Sequence, residues 1–343
     1  MKTLTLLLTL LLVPFAGAQG KYQTFGVGRS PGQAALFITG INDSGQVVGY
    51  RGSNGEAFVI SPGDVWTNNI VKTDGGDGGP GPVMNNAATI AGDEASGRGP
   101  FYKLWGQPVQ PFSLCTGDDR TAVTAINTAG VIAGNCPINI HRNQTGAFLA
   151  NPPKGVFLTI PFPHDELPND SYSANVSAVN NLNQIVGTWY NYSTPWSGFF
   201  YDSASNKLNT TFNMPGAVHT YPAAINDNQE VVGWWIDQNS VTHGFYWNPT
   251  AGFSDVDIAG DTEMALAGIN NSSVILGGWQ DANTPPGWHT VTIVNGQPTA
   301  SVHVPHSQAG STYGEEINNA GQVVGYYFTT EGVERGFIYT PPQ

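Results

Sequence analysis

After its first twenty residues the chain is punctuated throughout by short apolar runs, separated by Gly, Asn, Asp and Ser. No segment keeps apolar positions at helical spacing over three turns, so the pattern predicts strands and turns. The runs recur as one phrase. Ile41-Asn42-Asp43-Ser44-Gly45-Gln46-Val47-Val48-Gly49 is followed by Ala57-Phe58-Val59-Ile60, and Ile126-Asn127 to Gly134 is followed by Ala147-Phe148-Leu149. Further copies run from Val179-Asn180 to Gly187, Ile225-Asn226 to Gly233, Ile269-Asn270 to Gly277 and Ile317-Asn318 to Gly325. A weaker copy, Met84-Asn85 to Gly92, fills the second place. The shared asparagine stands at 42, 85, 127, 180, 226, 270 and 318, a mean step of about 46 residues.

Each copy reads as four short strands. The apolar residues before the Asn form the first. Asn-Asp-Ser-Gly or Asn-Asn-Ala-Gly then turns the chain, because Asn and Asp bond nearby backbone and Gly accepts positive φ. Val-Val or Ile-Val begins a buried second strand. Gly198-Phe199-Phe200-Tyr201, Gly244-Phe245-Tyr246-Trp247 and Gly336-Phe337-Ile338-Tyr339 are third strands, and Val156-Phe157-Leu158-Thr159 is a fourth. Four strands in about 46 residues is the size of a propeller blade. The expected fold is therefore all-β, a seven-bladed β-propeller. Tyr22-Gln23-Thr24-Phe25 reads as a fourth strand without a blade, and the seventh copy ends after its third strand at Tyr339-Thr340. If the first segment completes the last blade, no sheet edge is left open.

The phrase Ile-Asn-x-x-Gly-x-Val-Val-Gly, with His243-Gly244-Phe245, resembles the HAF-repeat group of predicted extracellular proteins. The resemblance spans the repeated region and implies a propeller-like extracellular protein, with no established activity to carry over.

Lys2, the apolar run Leu6–Val13, Pro14 and Ala16-Gly17-Ala18 have the layout of a secretory signal cleaved after Ala18. The expected organisation is a signal peptide over 1–18 and one seven-repeat domain over 19–343, secreted to the exterior or the periplasm. No later apolar stretch is long enough to suggest membrane insertion. Charged residues make up only 11% of the chain, against a typical ~25%. The formal net charge of −13 and the lack of a basic patch argue against nucleic acid as a partner.

Candidate chemistry lies where the copies differ. Loops leading into the first strands carry Asp118, Asp165, His164 and His219, which a propeller would gather on one rim. The residue two before the shared Asn is Gly40, Val83, Ala125, Ala178, Ala224 and Gly268, but Glu316 in the seventh copy, beside Glu315. Either glutamate, with a rim carboxylate, His164 or His219 across the channel, is a candidate acid–base pair for a polysaccharide hydrolase or lyase. Trp189, Tyr190, Trp196, Trp234, Trp279, Trp288 and Tyr326 sit where loops join second and third strands, and flat rings there suit sugars. Aromatic rings also pack sheets together, so a share of them belongs to the core.

Cys115 and Cys136 flank two antiparallel strands and are expected to form a disulfide on that rim. The expected cofactor is none, although Asp74-Gly75-Gly76-Asp77 faintly resembles a calcium-binding glycine repeat. Three functions stay open: a monomeric binding module for a glycan or extracellular protein, a polysaccharide-active enzyme, and a structural or adhesive protein.

Overall fold

A computed structural model describes residues 20–342 apart from 27–35, 53–54, 64, 68–69, 72–79, 95–98, 114–120, 140–143, 161, 163–171, 192–194, 259 and 283–286. The fold is all-β. The described residues hold twenty-eight strands, β1 to β28 in chain order, and no α-helix. They form five sheets, three of four strands and two of eight; each eight-stranded sheet is two four-stranded antiparallel units joined by one parallel pairing, Thr145 with Ser173 or Trp288 with Ser311, so that one such unit corresponds to each sequence copy. The first strands of the units are β2 (Leu36–Ile41), β6 (Val83–Met84), β10 (Ala122–Ile126), β14 (Tyr172–Val179), β18 (His219–Ile225), β22 (Asp261–Ile269) and β26 (Ser307–Ile317). The fourth strand of the seventh unit comes from the other end of the chain. There β1 (Lys21–Phe25) pairs antiparallel with β28 (Glu334–Thr340), Tyr22 opposite Tyr339.

Recurrent residues carry the packing. In five copies the glycine seven positions after the shared Asn lies under a carbonyl of the first strand; a Cβ on Gly134 would come within 1.9 Å of the Ala122 oxygen, and one on Gly325 within 1.9 Å of the Tyr313 oxygen. Directly across from the glycine in six copies stands a phenylalanine of the third strand. These rings, Phe58, Phe101, Phe148, Phe199, Phe245 and Phe337, are among the largest fully buried side chains. In the sixth unit Val291 takes the ring's place, and Met264 and Leu266 fill the space over Gly277. Apolar clusters span neighbouring units. One of them joins Leu36, Ile38 and Phe58 of the first unit to Val324 and Ile338 of the seventh, with Phe25 of β1.

The shared asparagines do more than turn the chain. Asn42 Oδ1 accepts from the N–H groups of Ser44 and Gln46; five other copies repeat both bonds, and Asn127 accepts from Val131. Each Nδ2 then donates to the backbone carbonyl of the next copy's asparagine: Asn42 to Asn85, Asn85 to Asn127, Asn127 to Asn180, Asn180 to Asn226, Asn226 to Asn270, and Asn270 to Asn318, at 2.9–3.4 Å. Asn318 donates back to the Asn42 carbonyl at 2.9 Å, so the series returns to its start. These side chains are all buried, and a buried amide is stable only when its donors and acceptors are used. The third residue after each Asn has positive φ in all seven copies, as Gly45, Ala88, Gly130, Asn183, Gln229, Ser273 and Gly321. Only three of these are glycine. The asparagine bonds hold the other four in a conformation that disfavours a side chain.

Candidate functional site

The first strands surround a central cavity to which all seven copies contribute. Its lining at one end is the shared Asn together with the residues on either side of it. The following position forms a second, exposed polar ring. Asn319 donates its N–H to Asp43 Oδ1 and its Nδ2 to Asp43 Oδ2, and Asn86 also reaches Asp43 Oδ2. Asn181 and Asn271 hold Asp227 in the same way.

Glu316 belongs to this end. It lines the cavity, and its Oε2 accepts the Ile41 N–H of the neighbouring unit at 2.9 Å. Burial pushes its carboxyl up to about 7; the Ile41 bond works against that rise, and Asp43 adds to it. Glu315 occupies an irregularity in the pairing of β26 with β27 (Val323–Thr329), between Gly314 and Glu316. Register shifts fall at the same position in five other copies, where Thr39, Thr124, Ser177, Ala223 and Ala267 stand. Glu315 is exposed to solvent yet hemmed in by protein, and this crowding raises its pKa.

Farther from the shared Asn along the first and second strands, the copies split into two arcs. The residues five before and eight after the shared Asn face each other across the first and second strands. In the first, fifth and seventh units they are stacked aromatic pairs: Phe37 on Tyr50, Tyr221 on Trp234, and Tyr313 on Tyr326, with centroids 4.8–5.5 Å apart and planes within 17°. In the sixth unit the pair is Ala265 and Gly278, and Trp288 from the third strand lies over the glycine, 2.5 Å from where a Cβ would be. Four consecutive units, counting the first after the seventh, thus present aromatic rings at one level. The remaining units carry Asp93, Asn135 and Thr188 there. Asp93 Oδ2 accepts the Val123 N–H and Asn135 Oδ1 the Val176 N–H, which ties units together with polar bonds instead. Burial, and next the charge of Glu315, push the Tyr326 phenol up to about 12, and burial also raises Tyr50 and Tyr221.

Of the aromatic residues expected at the rim, Trp234, Trp288 and Tyr326 belong to this arc. Tyr190 and Trp196 stack on each other at 5.0 Å in the fourth unit. Trp189 is a correction. It is 8% exposed, packs in the core and donates its indole N–H to the Thr210 carbonyl, so it offers no ring to a ligand. Trp279 is likewise turned onto apolar core and stacks on His289. Phe37, Tyr221 and Tyr313 were not singled out by sequence. Their signal was a column of the repeat five places before the Asn, which is visible only when the strands are aligned in register.

The expected pairing of Glu316 with His219 does not form. His219 opens its first strand and Glu316 lies near the end of another, which separates them by about 16 Å of strand rise. His219 Nδ1 instead accepts the Trp196 N–H at 3.1 Å. His164, Asp118, Asp165 and Cys115 lie outside the described residues, as does the segment read as a signal peptide. Cys136 is buried, and no free cysteine occurs among the described residues. Nor do these residues contain three His, Cys, Asp or Glu side chains grouped to hold a metal. No helix among them is long and apolar enough to cross a membrane.

No protein-family model matches the chain, and no curated protein does. Solved structures do. Virginiamycin B lyase from Staphylococcus aureus superposes with a TM-score of 0.60 at 9% identity, over 94% of this chain and 99% of the other. Oligogalacturonate lyase from Vibrio parahaemolyticus gives 0.59 at 10% identity, over 95% and 99%. The β-propeller domain of the Trilobed protease from Pyrococcus furiosus gives 0.54 at 8% identity, over 89% and 95%. At such identities the likeness is one of fold, and it shows an all-β, propeller-like architecture.

Proposed function

We propose that the protein is a secreted, monomeric seven-bladed propeller, latched by β1 on β28, whose central cavity binds carbohydrate at its aromatic mouth. One observation carries the reading: stacked or overlying rings stand at one level in four consecutive units, from Tyr221 and Trp234 through Trp288 and Tyr326 to Phe37. Flat rings take the C–H face of a sugar at low conformational cost, and partly exposed ones are otherwise expensive to keep. Glu315, two residues along the strand from Tyr313, supplies an acceptor for hydroxyl or amino groups. The bonds from Asn318 to Asn42 and from β1 to β28 support a closed ring, which gives the site a rigid frame.

Among the described residues the acid–base pair of Glu316 with His219 is not assembled, and this supports binding over catalysis. The test is a glycan array with residues 19–343, alongside Trp234→Ala and Tyr326→Ala. Saturable binding weakened about tenfold or more by each change is the expected result. Product release from a polysaccharide panel, abolished by Glu315→Gln, would favour a hydrolase or lyase instead.

A further inference from the structure

We infer that the oligosaccharide taken at the aromatic mouth carries free amino groups, and that Glu315 selects for them. This rests on the carbohydrate reading above and specifies its ligand class.

The charge of the wall carries the inference. Across the seven first strands there is no lysine or arginine, whereas there are four carboxylates: Asp261, Glu263, Glu315 and Glu316. Among the described second strands the single cation is Arg51, and it faces Glu56 at 3.8 Å. Glu316 is engaged with Ile41, and Asp261 Oδ2 accepts the Ile258 N–H. Glu315 and Glu263 are exposed, and they stand on the first strands of the seventh and sixth units, two of the four that carry the rings. Glu315 stands two residues along the strand from Tyr313, which pairs with Tyr326 and stacks on it at 4.8 Å. Glu263 pairs across the strands with Gln280, which in turn faces Trp288.

A ring with a carboxylate at its edge is a site for an ammonium group, which is attracted both to the aromatic face and to the charge. A uronate unit would set like charge against Glu315, and the described first and second strands offer no cation to relieve it except Arg51, which faces Glu56. A neutral sugar would stack equally well but would leave the carboxylate facing a hydroxyl. The overall charge of −13 adds long-range attraction for a cationic chain and repulsion of an anionic one. The cavity is therefore unsuited to the anionic sugar acids named for the oligogalacturonate lyase of similar fold. Aminated sugar chains suit it.

The experiment is calorimetric titration of residues 19–343 with hexamers of glucosamine, N-acetylglucosamine, glucose and galacturonate, and with hexalysine. The glucosamine hexamer should bind at least tenfold tighter than the acetylated and neutral hexamers, and galacturonate should not bind. Glu315→Gln, checked for an unchanged fold by circular dichroism, should bring the glucosamine and glucose hexamers to within about threefold of each other. Equal affinities in the wild type, measurable galacturonate binding or an unchanged preference in Glu315→Gln would overturn the inference and leave the carbohydrate reading standing. Hexalysine binding as tightly as the amino sugar would overturn it in favour of a basic peptide. Failure of every oligosaccharide to bind would remove both.

Discussion

Gly40 and Glu316, almost at opposite ends of the chain, occupy one another's space. A Cβ on Gly40 would lie 2.9 Å from Glu316 Oε2, and that oxygen accepts the N–H of the next residue, Ile41. Other copies carry Ala125, Ala178 or Ala224 where Gly40 stands, so the position tolerates a side chain wherever the preceding copy lacks a glutamate. Gly40→Ala should destabilise the protein by about 1–3 kcal/mol, through overpacking at the seam between the last and first units. In a Glu316→Ala background the same change should cost under about 0.5 kcal/mol. A double-mutant cycle from urea unfolding measures the coupling, and additive losses would show that the two residues are independent.

Glu316 should also make stability depend on pH. Its carboxyl is raised to about 7 in the fold from the usual 4.5, so the native state binds more protons than the unfolded chain between those values. Stability then falls as pH rises from about 4.5 to 7 and levels off above. Because the group borders a water-accessible cavity, the loss should be on the order of 1–3 kcal/mol rather than the full value for a dry site. Glu316→Gln keeps an acceptor for the Ile41 N–H and should flatten this slope, melting higher than wild type at pH 8. A variant with an unchanged pH profile would assign the slope to other groups.

The returning bond from Asn318 to Asn42 is open to a sharper test than alanine. Asn318→Asp keeps the acceptor for Ala320 and Gln322 but sets an oxygen against the Asn42 carbonyl and Gln322 Oε1. The expected loss is about 2–4 kcal/mol, since a buried donor is replaced by an unpaired acceptor. The same substitution at the exposed Asn319 should cost under about 1 kcal/mol, by comparison of denaturation midpoints.

Among the described tyrosines, Tyr326 should titrate late, together with Tyr246, whose phenol bonds Glu230 and is also pushed up to about 12. In a spectrophotometric titration, Tyr326→Phe should remove one late-ionising phenol. Glu315→Gln should shift that phenol to lower pH, because its charge is the second cause of the rise. No shift would place Glu315 away from the ring.

A Cys115–Cys136 disulfide predicts no free thiol in the unreduced mature protein under denaturing conditions. Cys136→Ser should then cost about 3 kcal/mol, the value expected for closing a loop of this length. Two reactive thiols per chain would rule the bond out.

The repeat was legible because each copy solves the same local problem. A glycine under a carbonyl, a phenylalanine over that glycine and an asparagine bonding its own turn all act within a few residues or one strand pair. Alternation and turn chemistry therefore marked the strands, and also Glu315 and Glu316 as departures from the pattern. Other features depended on strand register and on what the next unit presents. Trp189 and Trp234 sit in similar contexts along the chain, one step of alternation apart; that step sends one into the core and leaves the other half-buried, stacked on Tyr221. The asparagine was readable as a turn former, but its second bond, to the neighbouring copy, exists only once the units stand side by side. The sequence by itself determined the unit and its sevenfold repetition. The tertiary structure alone decided which outliers meet, seating Glu316 against Gly40, separating it from His219 and stacking rings across the strands at one register, because these residues come into contact only when strands and units pack.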